Sequence, residues 1–564
     1  MLTSRRSRRD FLLGALLGSA SALLARRAAA AERALEPRLG AGANVLDVRS
    51  CGATGNGHDL DTAAINDAIA TVSRGGGGVV RVSAGDYLCN TIHLQNGVTL
   101  QLDRGAILRA AAQGHYDIVE PNRWARYQDF GHDHWRNSMI CGLGVENAAI
   151  VGPGLLCGDG LSRGRWSEGL VQSRGVADKV IALKQCRNIT LSGFNLVGSA
   201  HFGVLATGVE KLAISGLLVD TGRDGIDIDC SAQVAIEDVC FNTPYDDSIA
   251  LKSSAALGYQ RPTSDVRISR CLVTGGFEPG TLYDGRRVPV GARDGMKGRI
   301  KIGTESCWGF ENIVVENCAI WNALGIPLLT VDGGALKNVV LRDIVMENIQ
   351  DSPLFLRLGE RLRAFSDAAV HDFRGVTVEN LKCSGFGMPI MIAGIPGHRI
   401  ENVTLRNIEL VERSKETVPQ SGGWMAVGEA AARSADLVPP EATRSYPEVG
   451  MFGPLPAKLL FARHVAGLAI DGLHLSKVTS DRELSRVVAD RRPLFWFEDL
   501  VDERLAGVAV PGGKGEAICR SDRPVSFPVV ASHALASPPD WLSGNDLLLK
   551  RAPLAAARGR TVSN

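Results

Sequence analysis

Apolar and polar residues alternate in short segments that recur along the middle of this 564-residue chain. Each segment begins with a turn residue or another polar residue and continues with alternating apolar and polar positions. A period of two is typical of a half-buried β-strand, and Asn, Asp, Gly and Ser are typical of strand ends. The segments that share this form are Asn188–Gly193, Lys211–Gly216, Gln233–Asp238, Asp265–Arg270, Asn312–Asn317, Asn338–Asp343, Gly375–Asn380, Asn402–Asn407 and Gly467–Gly472.

The spacing of these segments predicts how the strands stack. From Ile189 to Leu212 to Val234 the spacing is 23 and then 22 residues, with no helical period in between. Strands that return at such intervals are typical of a solenoid, in which neighbouring coils share one core. A β-propeller needs roughly 40–50 residues per blade, and a sandwich needs tight hairpins. The pattern therefore predicts an all-β, right-handed, single-stranded parallel β-helix, with longer gaps forming loops at one corner.

The two ends of the repeat region differ from its body. Residues 61–73 have apolar positions at helical spacing, with Asp61 and Thr62 at the expected start. We expect this helix to cap the first coil, because an open solenoid end exposes apolar core and unpaired strand edge. The repeats fade after residue 510. We expect a catalytic β-helix over residues 32–510 and, over 511–564, an extension that is either a cap or partly disordered.

The start of the chain predicts export. Ser7–Leu12 reads Ser-Arg-Arg-Asp-Phe-Leu, which resembles a twin-arginine signal, and the apolar stretch Phe11–Ala25 precedes the run Ala28–Ala31. A basic start, a short apolar core and small residues at the end are typical of a signal peptide. The apolar core is shorter than the roughly 20 residues that a membrane span needs. We predict a signal peptide at 1–31 and a periplasmic or secreted mature protein.

Charge and cysteine content narrow the partners. The formal net charge is +1, whereas a nucleic-acid-binding domain carries a basic patch or stripe. The charge therefore argues against nucleic-acid binding. The twelve cysteines lack the spacing of zinc ligands, and several lie beside apolar runs, so we expect small buried residues. We expect no bound metal and no cofactor. We expect a monomer that binds neither nucleic acid nor, after removal of the leader, a membrane.

Three aspartates form the candidate catalytic centre. Asp224 and Asp246 are 22 residues apart, which is one coil, so their side chains should stack on one face beside Asp247. Like charges at this distance raise the pKa of at least one carboxyl group. A protonated carboxyl can then protonate a leaving glycosidic oxygen while an ionised neighbour activates water. A lone Asp more often caps a turn, but three on one face favour catalysis.

A family resemblance supports this centre. The segments Val45–Gly57 and Asp61–Ile65, and the motifs Thr221–Asp227 and Tyr245–Ser253, resemble the entry segment and the paired aspartate motifs of glycoside hydrolase family 28. These polygalacturonase-like, pectin-degrading enzymes have the parallel β-helix of the pectate lyase-like superfamily. The resemblance implies that Asp246 is the acid, and that Asp224 and Asp247 hold the attacking water. It also implies that the substrate is an acidic polysaccharide or oligosaccharide.

The chain departs from the family pattern around these aspartates. The stretch Lys297–Ser306 lacks the family's histidine, and Gly325–Thr330 lacks its Arg-Ile-Lys cations, which would bind a uronate carboxylate. Gly222 and Arg223 replace the Asn and Thr of the first motif. Arg and Lys side chains on neighbouring coils could take the place of the missing cations. Arg is well suited to bind a carboxylate through two hydrogen bonds. The candidates are Arg299, Lys301, Lys252 and Arg357.

Two further side chains are candidates for sugar binding. Trp135 belongs to a polar and aromatic loop of the kind that stacks on sugar rings, and His201 could donate a hydrogen bond to substrate. His132 and His134 are near each other, but no third metal ligand follows at fixed spacing.

Three function classes remain open from the residues. The first is an inverting glycoside hydrolase that uses the aspartates. The second is a polysaccharide lyase on the same fold, with Arg or Lys as the base and Ca²⁺ held by aspartates. The third is a non-catalytic carbohydrate-binding β-helix. A lyase product absorbs in the ultraviolet and needs the ion, whereas a hydrolase releases reducing ends without that absorbance.

Overall fold

The computed structural model describes residues 44–127, 129, 131–163, 174–291, 296–364, 369–412, 417–420, 423–426, 437–477, 492–510, 519–521 and 529–531. Strands are numbered in chain order below. The chain folds as a right-handed parallel β-helix, so the predicted fold class is confirmed. The coils contain three stacks of parallel strands.

The first stack contains the repeated segments that the alternation pattern identified. It consists of β1 (Val45–Asp47), β3 (Gly78–Val82), β6 (Val98–Leu102), β9 (Ala149–Val151), β12 (Arg187–Ser192), β15 (Glu210–Ser215), β18 (Ala232–Glu237), β21 (Thr263–Ser269), β24 (Phe310–Glu316), β27 (Leu336–Ile349), β29 (Phe373–Phe386), β31 (Ile400–Glu412), β34 (Leu460–Lys477), β36 (Arg504–Val510) and β38 (Val529–Ala531).

The second stack joins the first at its later coils. It consists of β2 (Asn56–Leu60), β4 (Gly85–Cys89), β7 (Ala106–Ala110), β10 (Leu155–Cys157), β13 (Asn195–Val197), β16 (Leu218–Asp220), β19 (Cys240–Asn242), β22 (Leu272–Thr274) and β25 (Ala319–Ala323). From β27 onward, single long strands run through both stacks, since β25 pairs with the second half of β27.

The third stack carries the candidate site. It consists of β5 (Ile92–His93), β8 (Ser138–Leu143), β11 (Lys179–Lys184), β14 (Phe202–Thr207), β17 (Asp224–Asp229), β20 (Ile249–Ser253), β23 (Ile300–Ser306), β26 (Ile326–Thr330), β28 (Leu354–Leu358), β30 (Ile390–Ala393), the start of β34, β35 (Phe495–Val501) and β37 (Cys519–Ser521). An antiparallel pair, β32 (Thr417–Gln420) and β33 (Gly423–Ala426), lies outside the three stacks.

The register of the first stack explains the sequence repeat. Ile189 pairs with Leu212, and Leu212 pairs with Val234, so residues at the predicted interval lie directly above one another. The residue before each of them has a left-handed backbone, with φ 55° at Asn188 and 58° at Lys211. Asn, Asp and Gly tolerate that conformation, which is why they recur at this position. The inward aliphatic side chains are buried, each contributing about 1.5–3 kcal/mol.

One α-helix, α1 (Thr62–Arg74), is found among the described residues, and it packs against the first coil. Its buried residues Ile65, Ala68, Ile69 and Val72 join the main apolar core. Among the described residues, 3-10 turns occupy Val48–Cys51, Ala125–Tyr127 and Val449–Phe452. No helix of the described part is long and apolar enough to cross a membrane.

The two ends of the chain fall mostly outside the described residues. The signal peptide predicted at 1–31 lies outside them, as does most of the predicted extension at 511–564. The parallel sheet nevertheless continues past residue 510, because β37 pairs with β35 and β38 pairs with β36. Of the cysteines whose side chains are described, all are free thiols, and all but the half-buried Cys51 are buried.

Candidate active site

Polar residues line the edge of the third stack where its strands begin. Asp224 is the first residue of β17, and Asp247 and Arg299 precede β20 and β23. Backbone hydrogen bonds join the three coils there: the N–H of Gly225 donates to the carbonyl of Asp247, and the N–H of Ser248 donates to that of Arg299. The ladder therefore fixes Asp224, Asp247 and Arg299 side by side on successive coils.

The three aspartates predicted from the one-coil spacing do come together. Carboxylate oxygens of Asp224, Asp246 and Asp247 lie within 4.8 Å of one another. The backbone N–H of Asp247 donates to the Oδ1 atoms of both Asp224 and Asp246, each at 3.2 Å. Asp224 and Asp247 are buried, whereas Asp246 is partly exposed. Asp246 is therefore the member of the trio that solvent and substrate reach most readily.

The surroundings of Asp224 and Asp247 shift the pKa values of these two carboxyl groups in opposite directions. Burial, together with the charges of Asp246, Asp227 and Asp247, raises the pKa of Asp224 well above its ordinary value. Burial also favours the neutral form of Asp247, but Arg299, Lys301 and Lys252 outweigh it and hold the pKa of Asp247 below its ordinary value. Within the trio, protonation is therefore favoured at Asp224 and ionisation at Asp247.

Arg299 and Lys301 account for the ionised state of Asp247. The Nε of Arg299 donates to Oδ1 of Asp247 at 2.6 Å, and Nζ of Lys301 lies 3.2 Å from Oδ2. Both cations are buried, with side chains 6% and 4% exposed. They lie beside the aspartates as the sequence predicted, but they bind an aspartate of the protein. Both oxygens of Asp247 consequently have a cationic partner.

Asp246 is paired with a different cation. Nη2 of Arg223 lies 2.7 Å from Oδ2 of Asp246, and the Arg223 side chain is 31% exposed. The buried Nε of Arg223 has no hydrogen-bond partner among the described residues. Arg223 stands where the family motif has Thr, and it was noted in the sequence only as a departure. Its position makes it a solvent-accessible guanidinium at the aspartate cluster.

A second layer of buried charges lies behind Asp224. Nζ of Lys252 is 3.1 Å from Glu305 and 3.7 Å from Asp227, and Nε2 of His132 is 3.3 Å from Asp227. All four side chains are almost fully buried. Burial favours neutral Lys252, but Glu305 and Asp227 outweigh it and raise its pKa, so the lysine stays charged. Lys252 is thus part of an internal ionic network and is not exposed to bind substrate, which corrects its predicted role.

His201 lies on the other side of Asp224. Its Nε2 is 4.0 Å from Oδ2 of Asp224, and its Nδ1 is 3.7 Å from Asp178. Its ring stacks on Phe202, with centroids 3.8 Å apart. Burial lowers the pKa of His201 well below its ordinary value, although Asp178 opposes that shift. A neutral, buried imidazole next to Asp224 can orient this carboxyl group, whereas direct substrate binding remains a prediction.

Two of the predicted substrate-binding residues, Trp135 and Arg357, are buried in the protein. Trp135 is fully buried among Ala182, Phe202 and Leu205, and its Nε1 donates to the hydroxyl of Thr207 at 3.0 Å. A ring without exposed surface cannot stack on a sugar, so its predicted role was wrong.

Arg357 is likewise a structural residue. Its guanidinium is 1% exposed and donates to the carbonyls of Ala393, Gly394, Glu441 and Ala442. The side chain of Arg357 points out of the coil, but residues 441 and 442 cover it there. A side chain that points outward from the coil is therefore not necessarily exposed to solvent.

A segment that sequence patterns did not identify completes the site. Glu448 receives hydrogen bonds from Nη1 and Nη2 of Arg299 at 3.1 and 2.9 Å, although the two residues are 149 positions apart. The hydroxyl of Tyr446 lies 3.1 Å from that of Thr304, and its ring lies 5.7 Å from Nζ of Lys301. The segment 437–459 therefore packs across the coils next to Asp247.

Asp351 adds another carboxyl on this side. Its Oδ1 accepts a hydrogen bond from the N–H of Gly325 at 2.8 Å. Burial raises its pKa to about 7, although Arg299 and the Gly325 hydrogen bond oppose the shift.

The carboxylates are close enough to hold an ion, but cations of the protein already lie among them. Asp224, Asp246 and Asp247 form one such group, and His132, Asp224 and Asp227 form another. Lys252, Arg299 and Lys301 each contact a carboxylate of these groups. A divalent cation would add to positive charge that is already paired there. The absence of a resident metal stays a prediction.

Comparison with known proteins agrees with this geometry. The model of glycosyl hydrolases family 28 matches residues 93–277, which include the three aspartates. A probable polygalacturonase of Vitis vinifera is 23% identical over 382 residues, which cover 64% of this chain and 72% of the relative. An endo-polygalacturonase of Pectobacterium carotovorum is 23% identical, covering 60% of this chain and 82% of the relative.

A solved structure shares the fold. The family 28 exopolygalacturonase of Yersinia enterocolitica has a TM-score of 0.53 at 16% identity, covering 85% of this chain and 79% of that one. The matched family is one of glycosyl hydrolases, which favours the hydrolase over the lyase and the non-catalytic β-helix considered above. The paired aspartate motifs on adjacent coils lie within the matched segment, so the chain is similar to the glycoside hydrolases of family 28 over residues 93–277, and the relatives named above are polygalacturonases.

Proposed function

We propose that the protein hydrolyses glycosidic bonds in a pectic or other uronate-containing polysaccharide, with inversion at the anomeric carbon. The observation that supports this most is the aspartate trio itself, in which carboxylate oxygens of Asp224, Asp246 and Asp247 lie within 4.8 Å of one another and both oxygens of Asp247 face a cation. Hydrolysis by two carboxyl groups needs one acid and one base at the same time. The names of the relatives indicate the polymer class.

The proposed step uses the trio as follows. Asp246 is the most exposed of the three, and we assign to it the delivery of a proton to the leaving oxygen as the bond from the anomeric carbon breaks. Asp224 lies next to it, with carboxylate oxygens of the two residues within 4.8 Å of each other. A water molecule attacks the opposite face of the sugar, and Asp247 accepts its proton. The products are a reducing end and a shortened chain.

Inversion follows from the partners of Asp247. Oxygens within 4.8 Å are closer than the roughly 6.5–9.5 Å between the two carboxyl groups of most inverting enzymes. Direct attack by Asp247 would require one of its oxygens to be free. Arg299 holds Oδ1 and Lys301 lies against Oδ2, which makes Asp247 a poor nucleophile and a suitable anchor for water. The incoming oxygen is therefore assigned to water.

We assign to Arg223 the binding of a uronate carboxylate of the substrate. Arg223 pairs with Asp246 and has 31% of its side chain exposed, whereas Arg299 and Lys301, which pair with Asp247, are buried. A guanidinium binds carboxylates through charge-assisted hydrogen bonds. A substrate carboxylate that binds here also lies next to Asp246, which brings the acidic sugar to the catalytic carboxyl.

The cations next to Asp247 are unsuitable as a lyase base. Burial lowers the pKa of Lys301, but the charges of Asp247 and Tyr446 outweigh it and raise that pKa above its ordinary value. Arg299 is held by Asp247 and Glu448. A base that abstracts a proton must itself be deprotonated. Both side chains therefore support the ionised Asp247.

We propose from the N-terminal sequence that the protein is exported. The pair Arg8 and Arg9, the apolar stretch that follows them and the alanine-rich end support a twin-arginine route to the periplasm or beyond. Replacing both arginines with lysine should leave the precursor in the cytoplasm, as measured by cell fractionation. Full export of that variant would contradict the route.

A substrate screen tests the proposed function. Pectic and other uronate-containing polysaccharides are incubated with the protein, with and without chelator, and reducing ends and ultraviolet absorbance are read from the same samples. We expect reducing ends without new absorbance and no effect of the chelator. Asp246→Asn should abolish the release, whereas Asp471→Asn, at an exposed aspartate on the first stack, should not. New absorbance, or full turnover by Asp246→Asn, would contradict the proposal.

A further inference from the structure

The cations that the sequence offered for a substrate carboxylate already bind a carboxylate of the protein. Arg299 has two faces for hydrogen bonding: its Nε donates to Asp247, and its two Nη atoms donate to the two oxygens of Glu448. This second contact is the fork geometry in which Arg binds planar carboxylates. Glu448 therefore occupies the edge of Arg299 that a uronate would use.

The charges on this side of the aspartates balance without a ligand. Arg299 and Lys301 carry two positive charges, and Asp247 and Glu448 carry two negative charges. Burial favours neutral Glu448, but Arg299 and Lys301 outweigh it and lower its pKa, so it stays ionised. A further carboxylate placed here would meet two like charges and no unpaired cation of this group.

Glu448 is held in place by its own segment. Glu448 immediately precedes the 3-10 turn Val449–Phe452, whose Val449 and Phe452 are buried in an apolar cluster with Phe355 and Phe461. Upstream in this segment, the carbonyls of Glu441 and Ala442 accept hydrogen bonds from Arg357. Since both flanks are anchored, the carboxylate of Glu448 is a built feature of the site.

We infer that Glu448 is a specificity residue that excludes a uronate from the position beside Asp247, so that the sugar bound there is uncharged. The inference rests on the proposed function and deepens it. Arg223, on the Asp246 side, remains open to a carboxylate, whereas Arg299, on the Asp247 side, is filled. The substrate class that fits both sides is a glycan in which a uronate is linked to an uncharged or esterified sugar.

Binding measurements test this without turnover. In the full-length mature protein with Asp246→Asn, the dissociation constants of trigalacturonate and of its methyl ester are measured by calorimetry. Glu448→Gln keeps the shape of the side chain and removes its charge. We expect the preference for acid over ester to rise about tenfold in Glu448→Gln, because the positive charge of Arg299 is then no longer balanced by Glu448. Glu441→Gln, a matched change in the same segment, should leave the preference as it was.

A charge-retaining variant separates charge from packing. Glu448→Asp should keep the preference of the wild type. An equal rise in Glu448→Asp and Glu448→Gln, or no rise in Glu448→Gln, would overturn the inference, as would failure of both ligands to bind Glu448→Gln. The proposed function is judged separately, by the reducing ends that the unmutated protein releases.

Discussion

Replacing Arg299 with Met tests whether buried cations hold Asp247 ionised. The substitution removes the partner of Oδ1 of Asp247 and both donors to Glu448 while leaving the two carboxylates in place. Removing one partner of a buried ion pair costs about 3–5 kcal/mol of stability. Arg270→Met is the matched control, because Arg270 also pairs with two carboxylates but is more exposed, and such pairs contribute roughly 0.2–1 kcal/mol.

The pH dependence of this loss has a defined sign. In the wild type the pKa of Asp247 is lowered in the folded state, so its contribution to stability is present above the unfolded-state pKa of about 4 and lost as pH falls through the folded-state pKa. Without Arg299 the folded-state pKa rises. The variant's deficit should therefore be largest near neutral pH and should shrink as the carboxyl protonates in acid.

Urea unfolding followed by tryptophan fluorescence measures the deficit at about pH 7 and about pH 4. We expect Arg299→Met to lower the free energy of unfolding at neutral pH several times more than Arg270→Met does. The reasoning would be refuted by equal losses in the two variants at neutral pH, or by a deficit of Arg299→Met that is the same at both pH values.

Three further predictions concern single residues of the site. Burial and neighbouring Asp246, Asp227 and Asp247 raise the pKa of Asp224 in the folded state. The contribution of Asp224 to the free energy of unfolding should therefore be lost as pH rises through that pKa. Urea titrations at several pH values should show no such loss in Asp224→Asn. The turnover of this variant should fall by at least about 10²-fold, and turnover at the wild-type rate would exclude a catalytic role for Asp224. Trp135→Phe should cost about 1 kcal/mol of unfolding free energy through its lost hydrogen bond and leave KM unchanged; a raised KM would instead indicate sugar stacking. Arg223→Met should raise KM for oligogalacturonate about tenfold with little change in thermal stability, since the side chain is partly exposed, whereas an unchanged KM would remove its role in uronate binding.

The fold could be predicted because its repeat is local in sequence. Asn188, Asn312 and Asn402 share a left-handed backbone with φ 55–56°, and each precedes an inward aliphatic residue. One turn residue followed by alternating positions therefore signals a coil wherever it occurs. The one-coil spacing of Asp224 and Asp246 placed the aspartates together for the same reason.

The surroundings of the aspartates could not be predicted in this way. Glu448 reaches Arg299 from 149 residues away, and no sequence period links the two. Trp135 and Arg357 have polar or aromatic character that suits a binding surface, yet other segments bury both of them. Sequence alternation tells which side chains point outward from the coil, but tertiary packing decides which of those remain exposed.

The stereochemistry of the first product tests the central claim most directly. Proton NMR of a reaction on a uronate-containing oligosaccharide, recorded before mutarotation, reports the anomer that is released first. If a water molecule held by Asp247 attacks while Asp246 protonates the leaving oxygen, the new reducing end appears with the configuration opposite to that of the bond cleaved. Retention of configuration would show that a carboxylate attacks the sugar itself, and would contradict the assignment of Asp247 as an anchor for water.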